Sequence, residues 1–270
     1  MNGGWGLKLA MGAGFAFLYI PILLVVVFSF NESRLVTVWG GFSTRWYGEV
    51  LNNRAMMNGL WLSLQIGALA ATLATVMGTL AGFALSRFGS FRGRTLFAAA
   101  TAAPLVMPEV VTGLSLLLLF VAMEQALGWP AGRGALTVTI AHATFGMAFV
   151  AVVVQSRLAG FDRSLEEAAM DLGAAPFTVF RTVTLPLIAP GVASGWLLAF
   201  TLSIDDVVVA SFTTGPAATT LPMVVFSSVR LGVSPEINAL ATLILLVVGS
   251  GVVLAGVLAA KSARQDPSAR

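Results

Sequence analysis

The sequence predicts an all-α membrane protein with six transmembrane helices. Three observations carry this reading. Hydrophobic residues make up 57% of the chain and charged residues only 10%, whereas soluble domains carry about 25% charged residues. Six apolar runs are long enough to cross hydrocarbon about 30 Å thick. Between the fourth and fifth runs lies a more polar stretch, 155–190, punctuated like two short helices. The mean hydropathy of +0.91 agrees. No cysteine is present, which excludes a disulfide framework and a thiolate metal site.

The first span, 9–30, follows Lys8 and contains Pro21, which predicts a kink. It is too long for a signal-peptide core, and no convincing small-x-small cleavage site follows, so it is expected to be retained. Residues 31–58 carry Trp39, Phe42, Trp46 and Tyr47. Such residues favour the membrane interface, so a short amphipathic surface helix anchored in lipid is expected there. The second span, 59–86, has Gly78 and Gly82 one helical turn apart, a step that lets another helix approach closely. The third, 96–123, contains Pro104 and Pro108, then Glu109. The fourth, 136–154, holds the single histidine, His142, read as a packed or hydrogen-bonded helix residue. The fifth, 191–212, repeats the close-packing step at Gly191 and Gly195 and contains Asp205 and Asp206. A loop over 213–236 leads to the sixth span, 237–258.

The stretch 155–190 is the informative one. Ser164 and Glu167 have the spacing of a capping box. Leu165, Ala168, Ala169 and Leu172 then make one apolar face. Gly173 can end that helix with positive φ, and a larger side chain there is expected to overfill the turn. Pro176 can open a second helix, with Phe177, Phe180 and Thr184 along one side. Pro186 and Pro190 are expected to stop it. From the residues alone, this hairpin could simply join two spans at the membrane surface.

Charge orients the spans. Lys8, Arg87, Arg92, Arg94, Arg157, Arg163, Arg181, Lys261, Arg264 and Arg270 fall on one side. Arg34, Arg45, Arg54, Arg133 and Arg230 fall on the other. The positive-inside rule therefore places both termini and the 155–190 hairpin in the cytoplasm. The basic residues are spread along loops, so the net charge of +3 does not indicate nucleic-acid binding. Lys261-Ser262 lacks the preceding glycine of a phosphate-cradling loop. No Ser-His-Asp arrangement or metal cluster is readable either.

Glu167-Ala168-Ala169, three residues, Gly173, nine residues, Val183, one residue and Leu185-Pro186 resemble the coupling loop of membrane subunits of ABC importers. The likeness extends to FGSFRGRTLF (88–97), PLVMPEVVTGLSLLLL (104–119), FDRSLEEAAMDLG (161–173), LAFTLSIDDVV (198–208) and TTLPMVVFSSVRLGVSPEINAL (219–240). These are similar to the second permease subunit of the polyamine (putrescine/spermidine) importers. The resemblance implies a type I ABC importer permease fold and a single permease domain over 1–270 in a bacterial inner membrane. It assigns ATPase coupling to Glu167, Ala168, Ala169, Gly173, Leu185 and Pro186. It also implies a second, different permease, two ATP-binding subunits and a periplasmic solute-binding protein. The chain would then be no enzyme and hold no cofactor, ATP being bound by the partner subunit.

Three carboxylates lie in apolar spans: Glu109, Asp205 and Asp206. Counted at ~1.5 Å per residue along unbroken helices, Glu109 and Asp205 come to one depth, about 20 Å from the cytoplasmic ends. There they could line a pathway for a dication, which needs negative charge in an apolar medium. Neighbours on a helix point about 100° apart, so Asp205 and Asp206 are not expected to face one ligand together. The same acids admit two rivals. One is a proton-coupled carrier of small cations with these acids as proton sites; the other is that the acids only hold helices together, whereas a bare scaffold anchoring an ATPase without a pathway is disfavoured by the cost of placing acids at a helix centre.

Overall fold

The computed structural model describes residues 3–35, 38–232 and 234–265. Arg270, part of the charge count, lies outside them. Among the described residues the chain is helical: α1 (Gly3–Phe28), α2 (Arg45–Asn52), α3 (Arg54–Arg87), α4 (Arg94–Val106), α5 (Glu109–Leu127) and α6 (Ala135–Ala159). Then follow α7 (Ser164–Asp171), α8 (Pro176–Val179), a π-helical segment (Phe180–Thr184), α9 (Leu185–Asp205), α10 (Val208–Thr213), α11 (Leu221–Leu231) and α12 (Pro235–Gln265). Among the described residues, five stretches are long and apolar enough to cross a membrane: Trp5–Phe28, Arg54–Arg87, Glu109–Leu127, Ala135–Ala159 and Pro176–Asp205. The sixth expected run lies within α12, whose apolar stretch includes Pro235–Gly251.

The chain groups into two compact units, residues 1–57 with 225–270, and residues 58–224. In the first unit, α1 is apolar on all sides, and no residue of its most apolar window is buried, the pattern of a helix whose cover is lipid or another subunit. The following loop is organised by Asn31. Its side-chain amide donates to the Leu35 and Val38 carbonyls, and its Oδ1 accepts from the Ser33 and Gly40 N–H groups. Trp46 does not anchor in lipid as expected. It is buried, and its indole N–H donates to the Asn31 carbonyl at 2.6 Å. A buried indole must find such an acceptor. Trp39 and Phe42 stay exposed.

The core of the second unit joins α3, α6 and α9 through Ala71, Ala74, Val150, Val154, Leu158, Ile188 and Ala199. The two glycine steps meet on α6. A Cβ on Gly78 would stand 2.6 Å from Val150 Cβ and 2.7 Å from the Met147 carbonyl oxygen. Gly82 lies against the Ala151 carbonyl, and Gly195 against Val150.

Three expectations need correction here. The third span is two helices, because Pro108 forces Met107 out of the helical region (φ −73°, ψ 137°) and α5 restarts at Glu109. A depth counted along one straight helix therefore fails at the residue it was meant to place. Pro186 and Pro190 stop nothing, since α9 runs through both to Asp205. The π segment widens the backbone just before Pro186, with the Leu185 N–H reaching back to the Phe180 carbonyl, so the proline ring enters at a loosened turn. Finally, the loop expected over 213–236 contains α11, whose first residue, Leu221, donates its N–H to Ser63 Oγ at 2.9 Å.

Candidate functional site

The hairpin α7–α8 does not start as its spacing suggests. Ser164 and Glu167 form no capping box. Ser164 is already inside the helix, and its N–H donates to the Asp162 carboxylate at 2.9 Å. This backbone bond, with help from the Ser164 hydroxyl, holds the Asp162 carboxyl below the usual carboxylate range. Glu167 instead pairs with Arg163 at 3.1 Å, an exposed contact between residues one turn apart.

The end of α7 follows expectation. Gly173 has φ +87°. Ala174 N–H reaches the Ala169 carbonyl, and Gly173 N–H reaches the Met170 carbonyl. This is a Schellman turn. A Cβ on Gly173 would meet no atom within 4 Å, so overfilling is not what requires glycine there. The backbone angle is.

The hairpin presents apolar side chains outward. Leu172 is 90% and Phe177 73% exposed, and Leu165 and Met170 join them. Glu167 and Ala168 are also exposed and Ala169 is half-buried. Pro186 is exposed, whereas Leu185 packs on the α3–α6–α9 core.

The base of the hairpin is held by a residue outside the sequence motif. Glu166 is buried, and its Oε2 lies 2.7 Å from Arg87 Nε at the end of α3. Its Oε1 accepts the Thr184 hydroxyl at 2.7 Å. The guanidinium also stands over the Phe161 ring, 5.8 Å from its centroid. Beside this cluster is a cavity of about 450 Å3, lined largely by apolar residues including Phe83, Phe177 and Phe180.

The three carboxylates of the apolar spans differ in their surroundings. Glu109 is exposed at the first turn of α5, and Asp205 is exposed at the last turn of α9. Asp206 is engaged. Its backbone is extended (φ −67°, ψ 129°), and its carboxylate accepts the Val209 and Ala210 N–H groups at 3.2 and 2.7 Å, capping α10. Its Oδ2 also lies 3.1 Å from His142 Nε2, while His142 Nδ1 lies 2.6 Å from Ser203 Oγ. A Ser-His-Asp chain is therefore present although the sequence does not announce it. Serine and aspartate hold the ring nitrogens in the opposite order to a hydrolase triad. Asp206 is tied to two backbone donors besides. The arrangement braces the α9–α10 break.

Residues 74–265 match the family model described as binding-protein-dependent transport system inner membrane component. The chain belongs to this family. Members are the non-catalytic membrane subunits of ABC importers, which work with a second permease subunit and ATPase subunits. This family member is thus an inner-membrane permease with several apolar helices. It is 63% identical over 252 residues to the putrescine transport system permease protein PotI of Escherichia coli K12, covering 93% of this chain and 90% of that protein. It is 45% identical to the spermidine/putrescine transport system permease protein PotC of the same organism, covering 93% of this chain and 92% of that one. The fold is that of a crystal structure of a bacterial ABC transporter involved in the import of the acidic polysaccharide alginate. The TM-score is 0.70, with 18% identity and 94% coverage of both chains.

Reading the permease sequence alone misses Glu166 and Arg87. Glu166 adjoins the motif and looks like one more surface acid on a short helix; Arg87 looks like a span terminator. The His142 brace leaves a fainter trace. Ser203 and Asp206 are three residues apart and His142 is the one imidazole in an apolar run.

Proposed function

We propose that this permease, acting as a single domain over 1–270, forms with a second, different permease the translocation pathway of an ATP-driven polyamine importer. The observation that carries the reading is the α7–α8 hairpin, which exposes Leu172 between the apolar stretches and Phe177 at the start of the Pro176–Asp205 stretch, while its base is fixed to α3 and to the π segment that leads into α9. An apolar face kept in that position fits a cleft on an ATPase subunit, with Glu167, Ala168, Ala169, Gly173, Leu185 and Pro186 shaping it. ATP is bound and hydrolysed by two partner subunits, and a periplasmic solute-binding protein delivers the substrate. Both termini and the hairpin face the cytoplasm. The relatives that transport putrescine and spermidine support the polyamine class.

Glu109 and Asp205 supply the charge facing a polyammonium substrate, and Asp206 shapes the pathway by fixing the helix break beside Asp205. Closure of the ATPase pair moves the hairpins and opens the pathway outward, and hydrolysis resets it. The test is uptake by the reconstituted complex, with putrescine and spermidine competing. Uptake should need ATP, the ATPase subunits and the binding protein. Uptake driven by a proton gradient without the ATPase subunits would favour the proton-coupled carrier and overturn this reading.

A further inference from the structure

We infer that Glu166, together with Arg87, is a positioning residue that transmits movement of α7 to the ends of α3 and α9. The inference rests on the coupling role proposed for the hairpin and names the residues through which that role reaches the spans.

Glu166 contacts two elements at once. One oxygen meets Arg87 Nε at 2.7 Å, and the other accepts from Thr184 Oγ1 at 2.7 Å. The side chains of Glu166 and Arg87 are only 8% and 13% exposed, and Thr184 is 1% exposed. Burying two charges is costly, and apolar residues of similar size often hold helices together as well or better. Packing alone therefore gives little reason for an ion pair here. The pair is moreover not fully hydrogen-bonded: Arg87 Nε lies at ion-pair distance without hydrogen-bond geometry, and neither it nor the buried Nη2 has a hydrogen-bond partner among the described residues.

The pair lies where a π segment meets the packed α3–α6–α9 core. Thr184 closes the π segment, a loosened turn between α8 and α9. The cavity of about 450 Å3 is lined by Arg87, Glu166 and Thr184 themselves, together with Leu80 and Phe83 of α3 and Phe177 of the hairpin. The rings of Phe83 and Phe180, 4.8 Å apart, join α3 to the π segment, and Glu166 adds a polar link from α7 itself to both elements. The core it joins is close-packed: Leu185 and Ile188 belong to the α3–α6–α9 cluster, and Arg94 Nη2 donates to the Leu85 carbonyl at the end of α3. A displacement of α7 is handed to the core through the Glu166 carboxylate.

The test uses the full reconstituted importer, carrying Leu172→Cys for cross-linking to the ATPase subunit. Glu166→Gln and Arg87→Met are each introduced. Uptake and ATP hydrolysis are normalised to assembled complex. The expected result is a retained cross-link, retained basal hydrolysis, and uptake per ATP lowered about fivefold or more, the lower range of site-to-site coupling. The Glu166→Arg/Arg87→Glu exchange should recover part of the loss. Unchanged uptake per ATP in both single variants would overturn the inference. So would loss of cross-link, hydrolysis and assembly together, which would make the pair a fold element only. Absence of the cross-link in the otherwise unaltered protein would instead overturn the docking role, and this inference with it.

Discussion

The carboxylate of Asp206 lies 3.1 Å from Nε2 of His142, and this contact separates it from the acid next to it in the chain. Asp206 spends its remaining acceptor capacity on the Val209 and Ala210 N–H groups. Asp205, one residue earlier, is left exposed at the end of α9. His142→Ala should leave Ser203 and Asp206 each short of a partner in a buried place. The expected loss of stability is about 1–3 kcal/mol, read as a lowered unfolding midpoint of the purified complex in detergent. An unchanged midpoint would mean that the imidazole braces nothing.

The free acids should behave differently. Asp205→Asn and Glu109→Gln should each reduce polyamine uptake about tenfold or more, the scale of a lost interaction with a charged group. Assembly, midpoint and basal ATP hydrolysis should stay as they are. Asp206→Ala should destabilise by removing a cap, about 0.5–2 kcal/mol, and lower uptake through the altered helix break. Normal uptake in the Glu109 and Asp205 variants and in their combination would reject an acidic pathway at these positions.

At Gly173 the open space and the φ of +87° make opposite forecasts. If backbone angle alone matters, Gly173→Ala and Gly173→Leu should be equally costly, about 1–2 kcal/mol, and Gly173→Asn should be milder. Uptake measured across the three variants distinguishes the cases. A loss that grows with side-chain size would point to crowding by the ATPase partner.

Gly78 offers the contrasting case. Its φ is unremarkable, but a Cβ would run into Val150 and the Met147 carbonyl. Gly78→Ala should push α3 from α6 at a cost of about 1–3 kcal/mol, seen as reduced assembled protein. Gly12→Ala, where nothing lies within 4 Å, should be neutral in the same assay.

Topology can be tested directly. A reporter fused to the C-terminal tail should read cytoplasmic, and one inserted near Trp39 should read periplasmic. The reverse pair of results would put the hairpin on the side without ATP.

Much of this permease is local in origin and hence legible in sequence. Hydropathy locates the apolar helices, because the cost of exposing backbone and polar groups to lipid is settled run by run. The seven spaced residues from Glu167 to Pro186 mark the hairpin, and Gly173 ends α7 as its φ requirement predicts. Gly78, Gly82, Gly191 and Gly195 announce close helix contacts without saying which helix they meet. Where local rules competed, the reading failed. Asp162 displaced Ser164 as the cap of α7, and the π segment carried the chain through two prolines.

The sequence by itself determined an all-α membrane permease of the importer family with a short helical hairpin between two spans, since each of those features is written in spans and spacings along one segment. Only the tertiary structure decided which acid is free and which is tied. His142 and Asp206 are brought together from α6 and the α9–α10 break, and Arg87 and Glu166 from α3 and α7. Hydrogen bonds and ion pairs of this kind depend on distances of about 3 Å between segments far apart in the chain, which hydropathy and spacing do not encode.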